Sequence, residues 1–146
     1  MKIISVNRES ICMADDVEGH LIYYNMDDDC TYRDVIEAVT KYRYLPPYDA
    51  MWLLSSKNRG FIAAYYKSPL NNNQADVIWQ QGFNENDEIK NDKTFYFDEE
   101  LLKREMYSDP HQYDKHVEDI KEKNNISDEL FMQIEDYLRQ MRKENP

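Results

Sequence analysis

Among the residues able to do chemistry, the carboxylates dominate, and their tightest run follows Asn25. Asn25, Asp27 and Asp29 occupy the first, third and fifth places of an EF-hand-like calcium loop. The match stops there, because the sixth place is Cys30 instead of the turn-forming glycine and the twelfth is Ile36 instead of a bidentate glutamate. The same acids suit the positive end of a following helix, and three adjacent carboxylates exceed what one cap needs. The histidines, His20, His111 and His116, are few and scattered. His111 and His116 stand five apart, on different sides of a regular helix, so they do not converge on one metal, and a His111–Asp114 pair lacks further ligands nearby. Cys12 and Cys30 read as reduced, buried thiols of a cytoplasmic chain rather than a disulfide or a redox pair.

Several reaction classes are excluded outright. The three glycines, Gly19, Gly60 and Gly82, are far apart, whereas a phosphate-cradling loop needs them clustered. There is no GxSxG elbow, CxxC pair or HExxH helix. No catalytic, cofactor-binding or metal-binding residue is predicted, and the chain reads as a non-enzyme.

Charge and tyrosine carry the remaining signal. The 146 residues have 29 acidic and 18 basic side chains, a net charge of −11, together with 12 tyrosines. Residues 1–73 contribute −2 and residues 74–146 contribute −9. Such a surface repels a nucleic-acid backbone and suits a basic protein partner. No window approaches the ~20 apolar residues of a membrane helix. The acidic stretches Asp27, Asp28, Asp29 and Glu85, Asp87, Glu88 are the expected contact loops. Tyr23-Tyr24 and Tyr65-Tyr66 fall in predicted strands, where one ring of each pair turns outward if only one sheet face is covered; Tyr24 and Tyr66 complete the predicted partner-binding set.

The elements that must position these groups follow from periodicity and punctuation. Strands are predicted at Lys2 to Val6, Ser10 to Ala14 and His20 to Asn25, the last two joined through Asp15 to Gly19. Thr31 with Asp34 three residues on predicts a capped helix over about 31–44, with Tyr32, Val35, Ile36, Val39 and Tyr42 inward and Pro46-Pro47 as its stop. Met51 to Ser56 and Phe61 to Lys67 form a hairpin across Lys57-Asn58-Arg59-Gly60. After Pro69 and Asn71 to Asn73 come strands at Ala75 to Gln80 and Thr94 to Phe97, separated by a polar stretch, Asn84 to Asp92, that reads as a solvated loop. Three helices follow, capped by Asp98, Asp109 (with Pro110) and Ser127.

The expectation is a single α+β domain. A largely antiparallel sheet of about six to seven strands fills residues 1–97, with one helix inserted after strand 3 and three C-terminal helices over residues 98–146 packed on the sheet.

In its size, its acidity and its lack of catalytic motifs, the chain resembles bacterial toxin-immunity proteins of the contact-dependent growth-inhibition type. The likeness lies in general character and transfers no residue. It implies a small cytoplasmic protein that neutralises a cognate toxin, commonly a nuclease, by occluding its active site. The competing readings are a non-inhibitory adaptor or mobile-element accessory protein, and an enzyme whose site assembles only in the fold. Oligomeric state is not encoded in any local signal.

Overall fold

The computed structural model describes residues 1–9, 20–46, 50–67 and 75–144. The predicted strand at Ser10 to Ala14, Cys12, the Asp15–Gly19 turn, Pro47, Pro69 and Asn71 to Asn73 lie outside the described residues. The chain divides into two compact units, Met1–Glu100 and Leu101–Pro146. This boundary changes the charge map: the first unit carries 18 acidic against 10 basic side chains, net −8, and the second 11 against 8, net −3.

The first unit is a six-stranded sheet with one helix. The strands are β1 (Lys2–Arg8), β2 (Ile22–Met26), β3 (Met51–Ser56), β4 (Gly60–Lys67), β5 (Ala75–Trp79) and β6 (Thr94–Glu100), in the order β2-β1-β6-β3-β4-β5. The α+β class is as expected, but the sheet is mixed rather than largely antiparallel. β6 inserts between β1 and β3, parallel to the first (Val6 beside Phe95) and antiparallel to the second (Leu54 beside Phe97). Hairpin signals report pairs adjacent in sequence, such as β3 with β4; a strand that returns to the sheet centre after a long connection leaves no local mark.

Helix α1 (Tyr32–Lys41) covers one face of this sheet. Tyr32, Val35, Ile36 and Val39, at helical spacing, join Ile4, Val6, Tyr24, Trp52, Leu54, Tyr65, Phe95 and Phe97 in one buried cluster. The helix ends before the prolines. Tyr42 is its C-cap, and Arg43, at φ 53°, takes the left-handed conformation that turns the chain away.

The second unit holds a 3-10 turn, Arg104–Met106, and the helices α2 (Pro110–Asn124) and α3 (Asp128–Glu144). The expected helix starting at Asp98 is not formed. Asp98, Glu99 and Glu100 instead extend β6 and pair with Leu53, Trp52 and Met51 of β3, so ladder pairing outweighs the dipole preference of three acids for a helix start. The other two caps form as read: the Asp109 carboxylate accepts from His111 N at 3.0 Å, and Ser127 Oγ accepts from Leu130 N at 3.1 Å. Asn125, left-handed at φ 54°, closes α2. Its buried face, Tyr113, Val117 and Ile120, and that of α3, Leu130, Phe131, Ile134 and Leu138, supply the apolar interior of this unit. The Tyr113 hydroxyl donates to Glu135 at 3.1 Å and Lys121 meets Asp128 at 2.9 Å, so α3 runs back along α2.

Candidate partner-binding surface

The N-terminus of α1 gathers the two acidic segments that lie nearly sixty positions apart in sequence. A helix start leaves backbone N–H groups without intrahelical partners, and here they are met one after another. Tyr32 N donates to the carbonyl of Asp87 at 3.1 Å and Arg33 N to the carbonyl of Glu85 at 2.9 Å. Asp34 N donates to Thr31 Oγ1 at 3.2 Å, and Thr31 N donates back to Asp34 Oδ2 at 2.9 Å, completing the capping box read from the sequence.

The loop 84–92 is thus docked rather than merely solvated. Ile89 N donates to the carbonyl of Cys30 at 3.1 Å, and Thr31 bridges Glu88. Ile89 and Asp92 are buried, and Asp92 Oδ2 accepts the Tyr32 hydroxyl at 3.0 Å, tying the loop to the first residue of α1. The one apolar residue of this stretch, Ile89, anchors it together with Asp92.

The six predicted contact acids therefore lie around one helix start. Asp27, Asp28, Asp29, Asp87 and Glu88 are exposed, and Glu85 is partly exposed with its carboxylate 3.6 Å from Arg33. Arg33 also meets Glu37 at 3.1 Å. The positive end of the helix dipole lowers the cost of holding so many carboxylates together. The turn that presents Asp27 to Asp29 is closed by Cys30 N donating to the Asp27 carbonyl at 3.1 Å.

The tyrosine assignments are corrected. Tyr24 is only 8% exposed and Tyr66 only 4%, so neither is an exposed contact residue. The outward ring of the first pair is Tyr23, 64% exposed, while Tyr65 and Tyr66 are both buried. A parity signal was present: Ile22, Tyr24 and Met26 share one side of the strand, and Tyr23 shares the other with Asn25. In β4 both parities are apolar through Tyr66, Ile62 and Ala64 on one and Phe61, Ala63 and Tyr65 on the other, the pattern of a strand buried on both faces. Tyr42, expected inward on the α1 stripe, is instead the C-cap of the helix and points out, because the stripe ends with the last helical turn. It is 61% exposed and stacks on Tyr24 with ring centroids 5.6 Å apart.

Between β2 and α1 lies an open crevice of about 640 Å³, lined among others by Tyr23, Tyr24, Asp27, Asp34, Ala38 and Tyr42. It joins the acidic helix start to the exposed tyrosines. Burial pushes the Tyr24 hydroxyl up to about 12, with a smaller contribution from Tyr42, and this hydroxyl has no hydrogen-bond partner among the described residues. Burial likewise raises the Cys30 thiol, which suppresses the thiolate and with it nucleophilic character.

Elsewhere in the first unit Glu9 meets the carboxylates of β6. Its Oε2 accepts Glu99 N at 3.0 Å. A hydrogen bond with Asp98, burial, and repulsion from Asp98 and Glu99 push its carboxyl up to about 7. In the second unit Asp114 is met by Arg104 at 3.1 Å. Among the described residues no group of three or more His, Cys, Asp or Glu side chains can hold a metal, and no helix is long and apolar enough to cross a membrane.

Comparison with protein-family models, with curated proteins and with solved structures finds no match to this chain.

Proposed function

We propose that the chain is an acidic binding protein that inhibits a basic partner protein, in the manner of an immunity protein neutralising a cognate bacterial toxin such as a nuclease by occluding its active site. The observation that supports this reading is the convergence of Asp27, Asp28, Asp29, Glu85, Asp87 and Glu88 on one helix start, beside a crevice flanked by exposed Tyr23 and Tyr42. Carboxylates can take the place of substrate phosphates in a cationic cleft, and tyrosines offer rigid contact area and cation–π acceptors for Arg and Lys. A net charge of −11 accelerates encounter with such a partner at low ionic strength.

The test begins with capture from native cells at low salt, elution at high salt, and purification of the captured protein. Its activity is then titrated with the chain. Inhibition that is complete at equal stoichiometry is expected; a partner that binds and stays fully active would make the chain an adaptor. Joint substitution of Asp27→Lys, Asp28→Lys and Asp29→Lys is expected to slow association by about tenfold or more and to flatten its salt dependence. An unchanged association rate refutes the electrostatic basis of the reading.

A further inference from the structure

Among the described residues strand β2 is an edge of the sheet, and its outer side is chemically specific. In β1, Ser5 N and Glu9 N donate to Lys93 and Phe97 carbonyls on the β6 side. Backbone groups alternate along a strand, so Ile4 and Val6 address β2, where their partners are Tyr24 and Ile22. The N–H and C=O groups of Tyr23 and Asn25 therefore project from the outer edge. Among the described residues nothing is hydrogen-bonded to them.

Exposed edges are commonly blunted by a charge, a proline or a bulge. The opposite edge, β5, contains Asp76. β2, with the sequence Ile-Tyr-Tyr-Asn-Met, contains no charge and no proline, and its pairing with β1 is in unbroken register. The space beside it is also open. On α1 the crevice is lined by Asp34, Ala38 and Lys41, a single helical face at steps of four and three. Ala38, the smallest of the three, stands midway and leaves room for a side chain from a strand laid along β2. Asp27 and Asp34 stand toward one end of the crevice and Lys41, 5.4 Å from the Tyr42 ring, toward the other.

Resting on the reading of a basic partner, we propose that the β2 edge and this crevice accept an extended segment of that partner as an added antiparallel or parallel strand, with a Lys or Arg side chain directed at Asp27 and Asp34. Main-chain bonds to Tyr23 and Asn25 supply affinity, and the crevice supplies the preference for a cation. Charge complementarity favours this occupant over a second copy of the chain, since each copy brings a net charge of −11 to the pairing.

The probe is a blocked peptide of about eight residues alternating valine with lysine or threonine, compared with the same peptide carrying glutamate for lysine. Amide exchange of the isotopically labelled protein is followed by NMR. The lysine peptide is expected to slow exchange at Tyr23 and Asn25 by about tenfold or more, and the glutamate peptide to bind at least about tenfold more weakly. Asn25→Pro removes an outward N–H without taking a bond from β1, and is expected to abolish the protection. Should that variant fail to fold, Asp27→Lys, at an exposed position, is expected to weaken the lysine peptide by about fivefold or more.

No protection at millimolar lysine peptide, or equal binding of both peptides, overturns the proposal. So does protection at Tyr23 and Asn25 that grows with protein concentration alone, which would identify a second copy as the occupant. The two readings fail separately: a partner whose capture is lost on reversing Asp27, Asp28 and Asp29 but untouched by Asn25→Pro keeps the proposed function and refutes strand addition.

Discussion

Replacing Tyr23 and Tyr24 one at a time separates a contact ring from a core ring on adjacent residues. Tyr24 is buried among Ile4, Val6 and the inward face of α1, whereas Tyr23 stands in solvent. Truncating a buried aromatic to alanine typically costs about 3–5 kcal/mol. The lower end applies here, because β2 is an edge strand and the Tyr24 hydroxyl has no partner to lose among the described residues. At roughly 4–8 °C per kcal/mol for a unit of this size, Tyr24→Ala lowers Tm by roughly 12–24 °C. Tyr23→Ala should stay within about 0.5 kcal/mol of the parent. Tyr24→Phe sharpens the test. It deletes a buried hydroxyl whose unsatisfied burial costs about 1–3 kcal/mol, so the variant should be equal to the parent or more stable by about 1 kcal/mol. Tryptophan fluorescence during thermal or urea unfolding is the assay, because Trp52 and Trp79 both belong to the unit that contains β2. Equal losses for Tyr23→Ala and Tyr24→Ala would refute the strand parity, and with it the assignment of the outward edge groups to Tyr23 and Asn25. A loss above about 1 kcal/mol for Tyr24→Phe would show that the hydroxyl is bonded after all.

Thr31→Ala removes one half of the capping box and should cost about 1 kcal/mol, read as a lower urea midpoint with unchanged slope; a change below about 0.3 kcal/mol would mean that the carbonyls of Glu85 and Asp87 hold the helix start alone. Glu9 binds its proton more tightly in the folded chain, with its carboxyl at about 7 against 4.5 for an unperturbed group. Its contribution to stability is therefore present at low pH and is lost as pH rises through about 7, and Glu9→Gln should flatten the fall in Tm between about pH 5 and pH 8; parallel parent and variant profiles would contradict the Glu9–Asp98 contact. Ile134→Ala, in the interior of the second unit, should lower the helical melting transition by an amount equivalent to about 2–5 kcal/mol, monitored by circular dichroism, and an unchanged transition would refute the buried face of α3.

The elements that the sequence made legible are those closed by local chemistry. The Thr31–Asp34 box, the Asp109-Pro110 start of α2, the Ser127 cap and the turn at Gly60, which adopts φ +73°, each need only four or five consecutive residues to be recognised. What failed was non-local. Asp98, Glu99 and Glu100 have the composition of a helix start, and only the unpaired edge that β3 offers decides against it. The parallel pairing of β1 with β6 is invisible for the same reason. For the site, the acids were legible as residue types, but their meeting was not, because it depends on Ile89 and Asp92 pinning the loop to α1. Tyr66 failed through neglect of both parities of β4, and Tyr24 through a choice that Asn25 could have decided.

Net charge by halves of the sequence points to the C-terminal half, and the fold reverses that inference. Much of the excess lies in residues 74–100, which the backbone assigns to the sheet-bearing unit; the helical unit retains only −3. Within the sheet-bearing unit the acids are further divided by their surroundings. Glu9 and Glu99 crowd Asp98, and the carboxyls of Glu9 and Glu99 are raised; Glu9, pushed up to about 7, gives up part of its charge near neutrality. Asp27 to Asp29, Asp87 and Glu88 instead stand exposed around a helix start, with their carboxylates facing solvent. Within that unit the exposed acids around the start of α1 form a locality of accessible negative charge, and that locality adjoins the uncharged edge of β2.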